Sequence, residues 1–153
     1  MGPNRRPSKA LLLAAVVCAG LVGCATPKFL APVPCSGGRC DVDVHVDVSG
    51  STCTVSAPDI NNTGANNIFW NIDRESKDAG YKFPDGTGGV FFKNPPPSGC
   101  IAAGSVFDSP ERLNDHKFKW HDKGTRGTYC YGVQVVRNSA PTPCTLDPQI
   151  VNQ

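Results

Sequence analysis

The sequence predicts an all-β fold, an antiparallel β-sandwich of about seven to eight short strands, and three observations carry that prediction. Apolar and polar residues alternate with period two in several short runs, and clusters of Gly, Pro, Asn and Asp punctuate those runs at short intervals. After the first two dozen residues, no window of helical length shows a 3.6-residue period, and no internal repeat is visible. Six cysteines beyond Cys24 could supply up to three disulfide staples.

The first segment is a targeting signal rather than part of the fold. Arg5, Arg6 and Lys9 make a basic start, Ala10 to Gly20 is almost unbroken apolar sequence, and Leu21-Val22-Gly23-Cys24 follows. The run is too short for a spanning helix and has the layout of a signal peptide. Where an ordinary signal would end in an Ala-x-Ala-like site, Leu-Val-Gly-Cys resembles the lipobox of bacterial lipoproteins. That resemblance implies removal of residues 1–23, lipid on Cys24 and attachment to a membrane through that lipid. Ala25 after the cysteine resembles the outer-membrane sorting pattern, if the cell is Gram-negative. The chain has 15 Lys and Arg against 13 Asp and Glu, and three of the bases precede Cys24, so the exported part is close to neutral and slightly acidic. Its electrostatics therefore give no reason to expect nucleic acid as a partner.

From Cys24 to Arg39 the chain is rich in Pro and Gly, including Pro27, Pro32, Pro34, Gly37 and Gly38, and reads as a tether. Residues 40–153 then make a single sandwich domain. Cys35, Cys40, Cys53, Cys100, Cys130 and Cys144 are an even six in an exported chain, which implies disulfides worth about 2–4 kcal/mol each. Spacing does not choose among the pairings. No two of these cysteines stand in a Cys-x-x-Cys spacing, which argues against zinc.

Asp41 to Val48 alternates strictly, with Val42, Val44, Val46 and Val48 on one face and Asp41, Asp43, His45 and Asp47 on the other. A turn at Ser49-Gly50-Ser51 leads to a second strand over Cys53 to Ala57, stopped by Pro58. Asn61 to Asn67 reads as a loop. Ile68, Trp70 and Ile72 share a face of a middle strand, which makes Trp70 a core residue. Tyr81 to Phe83 and Val90 to Phe92 suggest a hairpin or a pair of short strands, and Asn94 to Gly99, with three consecutive prolines, an exposed loop. Val106-Phe107 is a short strand, and polar Ser109 to Asn114 offers at most a helical turn. Phe118-x-Trp120 and Thr128 to Val135, separated by a turn at Asp122 to Gly127, form the clearest hairpin, with Tyr129, Tyr131, Val133 and Val135 on one face.

This arrangement suits a sandwich of immunoglobulin-like or cupredoxin-like type. Tyr129 immediately precedes Cys130, whereas an immunoglobulin tyrosine corner stands two residues before its cysteine. Trp70, Gly80 to Phe83, Phe118 to Lys123, Gly127 to Tyr131 and Leu146 to Asn152 together resemble a loosely defined family of small bacterial envelope proteins. The resemblance implies an exported all-β module and brings no activity with it. Gly127-Thr128-Tyr129 is similar to the opening of the last strand pair in cupredoxins, but a blue-copper site needs a histidine soon after the cysteine and usually a methionine. No His follows Cys130, and the only Met is Met1.

Metal and catalytic candidates are few. Asp43, His45 and Asp47 line one strand face, where neighbours stand about 6.8 Å apart; ligands must approach an ion to about 2–2.6 Å, so a full site would need help from elsewhere. His121 beside Asp122 is a second weak candidate, and His116, five residues earlier, points to the opposite face. Neither set is favoured over a solvated surface, and no cofactor is expected. There is no Gly-x-Ser-x-Gly, His-Glu-x-x-His or phosphate-binding loop, and Glu75 and Glu111 are the only glutamates. The sequence thus predicts a non-enzymatic binding or structural module on the cell envelope, with an envelope or extracellular protein or glycan as its partner. A metal-binding envelope protein is the alternative. Phe91 or Phe92, with the loop at Pro95 to Pro97, is the expected contact surface.

Overall fold

The computed structural model of the chain describes residues 30–49, 52–138 and 140–153. The signal segment, Cys24, the first part of the tether, and Gly50 and Ser51 of the predicted turn lie outside the described residues. Within them run β1 (Val33–Cys35), β2 (Arg39–Ser49), β3 (Thr52–Ser56), β4 (Ile60–Asn62), β5 (Asn66–Ile72), helix α1 (Arg74–Asp78), β6 (Tyr81–Lys82), β7 (Val90–Phe92), β8 (Phe107–Asn114), β9 (Lys117–Asp122), β10 (Gly127–Arg137), β11 (Ala140–Leu146) and β12 (Gln149–Asn152). They build an all-β sandwich. One sheet follows the order β3-β2-β5-β9-β8; the other runs β1-β4-β12-β10-β11, with β6 and β7 also paired to β10.

The alternating runs place their apolar faces as period two requires. Val42, Val44 and Val46 of β2, Ile68, Trp70 and Ile72 of β5, and Tyr129, Tyr131, Val133 and Val135 of β10 are all buried between the sheets. Trp70 is fully buried, with its ring centroid 5.5 Å from that of Tyr131 in an edge-on arrangement. Its indole Nε1 donates to the Tyr131 hydroxyl at 3.4 Å, which in turn donates to the Pro58 carbonyl at 3.4 Å. Burial drives the Tyr131 phenol far above its ordinary pKa, so it stays protonated. Val48 departs from the pattern and is 51% exposed. The β2–β5 pairing ends at Val44 opposite Ile72, so Val48 has only β3 beside it.

Three disulfides fasten the layers. Cys53–Cys144 joins β3 of one sheet to β11 of the other, Cys35–Cys40 closes the corner where the chain passes from β1 to β2, and Cys100–Cys130 ties the proline-rich loop to β10. Tyr129 donates from its hydroxyl to the Thr125 carbonyl, four residues upstream, at 3.0 Å. That is the bond of a tyrosine corner, here without the immunoglobulin cysteine spacing.

Several sequence expectations are corrected. The sheets are mixed: β2 runs parallel to β5, and β4 parallel to both β1 and β12. Between β2 and β5 the chain visits the other sheet through β4 and returns in the same direction, a path that removes the need for a hairpin. The predicted hairpin of β9 with β10 is absent. β9 pairs with β5 and β8, whereas β10 pairs with β6, β7, β11 and β12, so residues 123–126 cross between sheets. Alternation reveals which side of a strand is buried, and strands facing each other across a core alternate just as hairpin partners do. The polar run expected to turn once as a helix is edge strand β8, in which Ser109 has φ 55° and the register slips between Asp108 and Glu111 around Pro110. An edge strand tolerates Pro and a bulge because one side needs no ladder. β1 lies inside the expected tether, and the expected loop of residues 61–67 contains the end of β4 and the start of β5. β6 and β7 do not pair with each other; both pair with β10, as short separate strands.

Candidate functional site

Four side-chain groupings could bear chemistry, and the strand periodicity decides where each points. The first surrounds His45 on the outer face of β2. Its Nδ1 meets Asp73 at 2.5 Å and its Nε2 meets Asp47 at 3.1 Å. Asp73 caps α1, accepting the Ser76 backbone N–H at 2.8 Å, and the Ser76 hydroxyl accepts the Val46 N–H at 2.8 Å. The hydrogen bond to Asp73 raises the His45 pKa despite partial burial, with Asp47 adding to the effect. Partial burial pulls Asp73 upwards, but the donors from Ser76 and His45 outweigh it and hold the carboxyl below its usual range. Both ring nitrogens thus face carboxylates on different sides. Ser76 stands behind Asp73 with its hydroxyl on the backbone of β2, so the trio lacks the order of a nucleophilic triad. Asp43 sits two residues from His45, opposite Asn71, and is exposed.

The second grouping lies inside one end of the sandwich and was not foreseen. Asp122 is fully buried together with Asn62, Asn66 and Asn152. Asp122 Oδ2 accepts from Asn62 Nδ2 at 2.8 Å; its Oδ1 accepts from Asn152 Nδ2 at 3.0 Å and from the Gly124 N–H at 2.8 Å. The chain of donors continues outwards: Asn66 Nδ2 donates to Asn62 Oδ1, and the Gly38 N–H donates to Asn66 Oδ1, both at 2.6 Å. These bonds run in sequence towards Asp122, while spare amide protons of the three asparagines also reach the backbone carbonyls of Gly64, Thr63 and Thr125. Burial nonetheless pushes the Asp122 carboxyl above its ordinary value, against the pull of Gly124, Asn152 and Asn62. Gly124 closes the turn with φ +75°, and a Cβ there would lie 2.5 Å from the backbone of Gly64, so neither its conformation nor its space admits a side chain. Asn62, Asn152 and Asp122 each stand two residues after an inward apolar or aromatic residue, Ile60, Ile150 and Trp120, and that spacing was the available signal.

His121 points away from Asp122, since successive strand residues face opposite ways. It meets Asp108 at 3.0 Å, beside Lys123, which reaches Asp108 at 3.1 Å and donates to the Ser105 carbonyl at 2.7 Å. The expected His121/Asp122 pair is therefore split between surface and interior. His116 occupies the β8–β9 turn. Among the described residues, no three His, Cys, Asp or Glu side chains gather closely enough to hold a metal ion.

The fourth feature is a groove of about 490 Å³ between β7, β8 and β9, walled by Phe91, Phe92, Phe107 and Trp120. Phe92 stacks on Phe107 with centroids 4.0 Å apart and meets Trp120 edge-on at 5.2 Å. Trp120 Nε1 donates to the Val90 carbonyl at 3.0 Å, which fixes the indole plane. Phe91 lies over Gly132, its cross-strand partner, where a Cβ would come within 2.4 Å of the ring. The expected contact residues Phe91 and Phe92 both line this groove, with Asn94 from the start of the proline loop. Phe107 and Trp120 are the aromatic members that sequence reasoning missed, and Pro95 to Pro97, expected with them, do not line the groove.

No protein-family model matches the chain, and no curated protein matches its sequence.

Proposed function

We propose that this chain is an envelope lipoprotein, held to a membrane by lipid on Cys24, that displays a non-catalytic β-sandwich for binding. The observation that carries the reading is Leu21-Val22-Gly23-Cys24 directly after a basic and then apolar segment of signal-peptide length. The six later cysteines support it, because all are paired in the fold, as an oxidising compartment allows. Two or more acyl chains on one cysteine make a lasting anchor, since each buried methylene contributes about 0.8 kcal/mol and a single chain binds only marginally. Expression of the full chain in a bacterium fed a labelled fatty acid tests the anchor. Wild-type protein should carry the label and sediment with membranes; Cys24→Ala should carry none and be released by osmotic shock. Equal fractionation of the two proteins, with no label on either, would overturn the reading.

A further inference from the structure

We infer that the aromatic groove between β7, β8 and β9 is a binding site for a neutral saccharide, an inference that rests on the reading of the domain as a binding module. Size comes first: about 490 Å³ is within the roughly 300–1,000 Å³ range of small-ligand sites. Its rings are preorganised, Phe92 by stacking on Phe107, Phe91 by lying on Gly132 and Trp120 by its bond to Val90, so little side-chain freedom is lost on binding. With the indole N–H already committed, Trp120 offers its ring and not a donor. That suits the apolar C–H face of a sugar ring.

Charge narrows the class further. The lining includes no Asp, Glu, Arg or His, and its one ionic side chain, Lys93, is already paired with Asp147 at 2.7 Å. Nothing in the groove is therefore left to neutralise an anionic or cationic ligand. The exposed Thr87 hydroxyl and Asn94 amide stand at its rim as both donors and acceptors, as a polyhydroxylated ligand requires. A peptide added as an extra strand suits the place less well. The neighbouring edge, β8, is broken by Ser109 with positive φ, by Pro110 and by two register slips.

The groove also sits on the far flank of the five-stranded sheet from Leu30, the first described residue. Leu30 lines a cleft with Thr54 and Val55 of β3, and β3 and β8 are the opposite outer strands of the five-stranded sheet, about 19 Å apart at the usual strand spacing. Cys24 is six residues from Leu30.

Tryptophan emission tests the assignment, because of the two tryptophans Trp70 is sealed in the core and Trp120 lines the groove. The full chain, in a detergent without a sugar headgroup, is titrated with cellohexaose, chitohexaose and maltohexaose, and with hexaproline as the peptide probe. The expected result is a saturable change in emission with at least one of the sugars. The same sugar should bind at least about fivefold more weakly to Thr87→Ala/Asn94→Ala, the effect of losing two modest hydrogen bonds. Both substituted positions are exposed, so this variant keeps its fold. No saturable change with any of the three sugars, a response to hexaproline alone, or unchanged affinity in the double variant would overturn the assignment. None of these outcomes bears on the anchor, which the labelling of Cys24 decides separately.

Discussion

Replacing Asn62 by Leu, a side chain of the same branching, removes the middle of the buried relay that ends on Asp122. Three bonds disappear: the one to Asp122 Oδ2 at 2.8 Å, the one from Asn66 at 2.6 Å, and one to the carbonyl of exposed Gly64 at 2.9 Å, which water replaces. A hydrogen bond to a buried charge is worth about 1.5–3 kcal/mol and a neutral one about 0.5–1.5 kcal/mol. Asn66 keeps weaker contacts with the carbonyls of Thr63 and Gly64 at 3.2 and 3.3 Å, and Asp122 keeps Asn152 and Gly124. The expected loss is therefore about 2–4 kcal/mol, a large share of the 5–15 kcal/mol typical of a domain. Urea unfolding of the oxidised protein, followed by tryptophan emission, should show the midpoint fall by about 1–2 M if the slope is about 2 kcal/mol per M. Acidity gives a second reading. Asp122 has a raised folded-state pKa, so the fold already prefers it protonated, and its contribution to stability is present below the ordinary value of 3.8 and lost as pH rises through the folded one. Taking away a donor raises that folded value further. The carboxylate depends on its donors more than the neutral acid does, so the deficit of the variant should shrink as the pH falls from 7 towards 4. A deficit under about 0.5 kcal/mol at pH 7, or one of equal size at both pH values, would refute the relay as a source of stability.

The disulfides should differ in weight. Removing Cys53–Cys144, which spans 91 residues, should cost about 4–5 kcal/mol on chain entropy, against about 2 kcal/mol for Cys35–Cys40, which spans 5; denaturant unfolding of the two paired Cys→Ala variants gives the order. His45 supplies a pH dependence of the same sign, set from a higher ordinary pKa. Its folded pKa lies above the ordinary 6.5, so the stability it gains from Asp73 is full below 6.5 and fades as pH rises through the folded value. Asp73→Asn should flatten this alkaline limb and bring the His45 imidazole, followed by NMR titration, back towards its ordinary pKa.

The sequence by itself determined the fold class, the strands with strict alternation, the burial of Trp70 and the pool of six cysteines available for disulfides. Each of those follows from a local rule: period two sorts side chains between two faces, and residues that break ladders mark the ends. Only the tertiary structure decided which strand lies beside which. The run from Phe118 to Val135 reads as a hairpin because both of its strands bury alternate residues, yet β9 and β10 belong to different sheets and present those residues to each other across the core. Cysteine pairing was open for the same reason, since sulfur atoms meet according to the path of the chain and not its spacing. The candidate sites divide along this line too. Phe91 and Phe92 could be picked out as adjacent strand residues facing opposite ways, but Trp120 completes their groove only once β9 is brought beside β7. Asp122 was legible as a turn residue next to His121; its burial among three asparagines from β4, β5 and β12 depends on contacts up to 60 residues away in the chain, which no local pattern records.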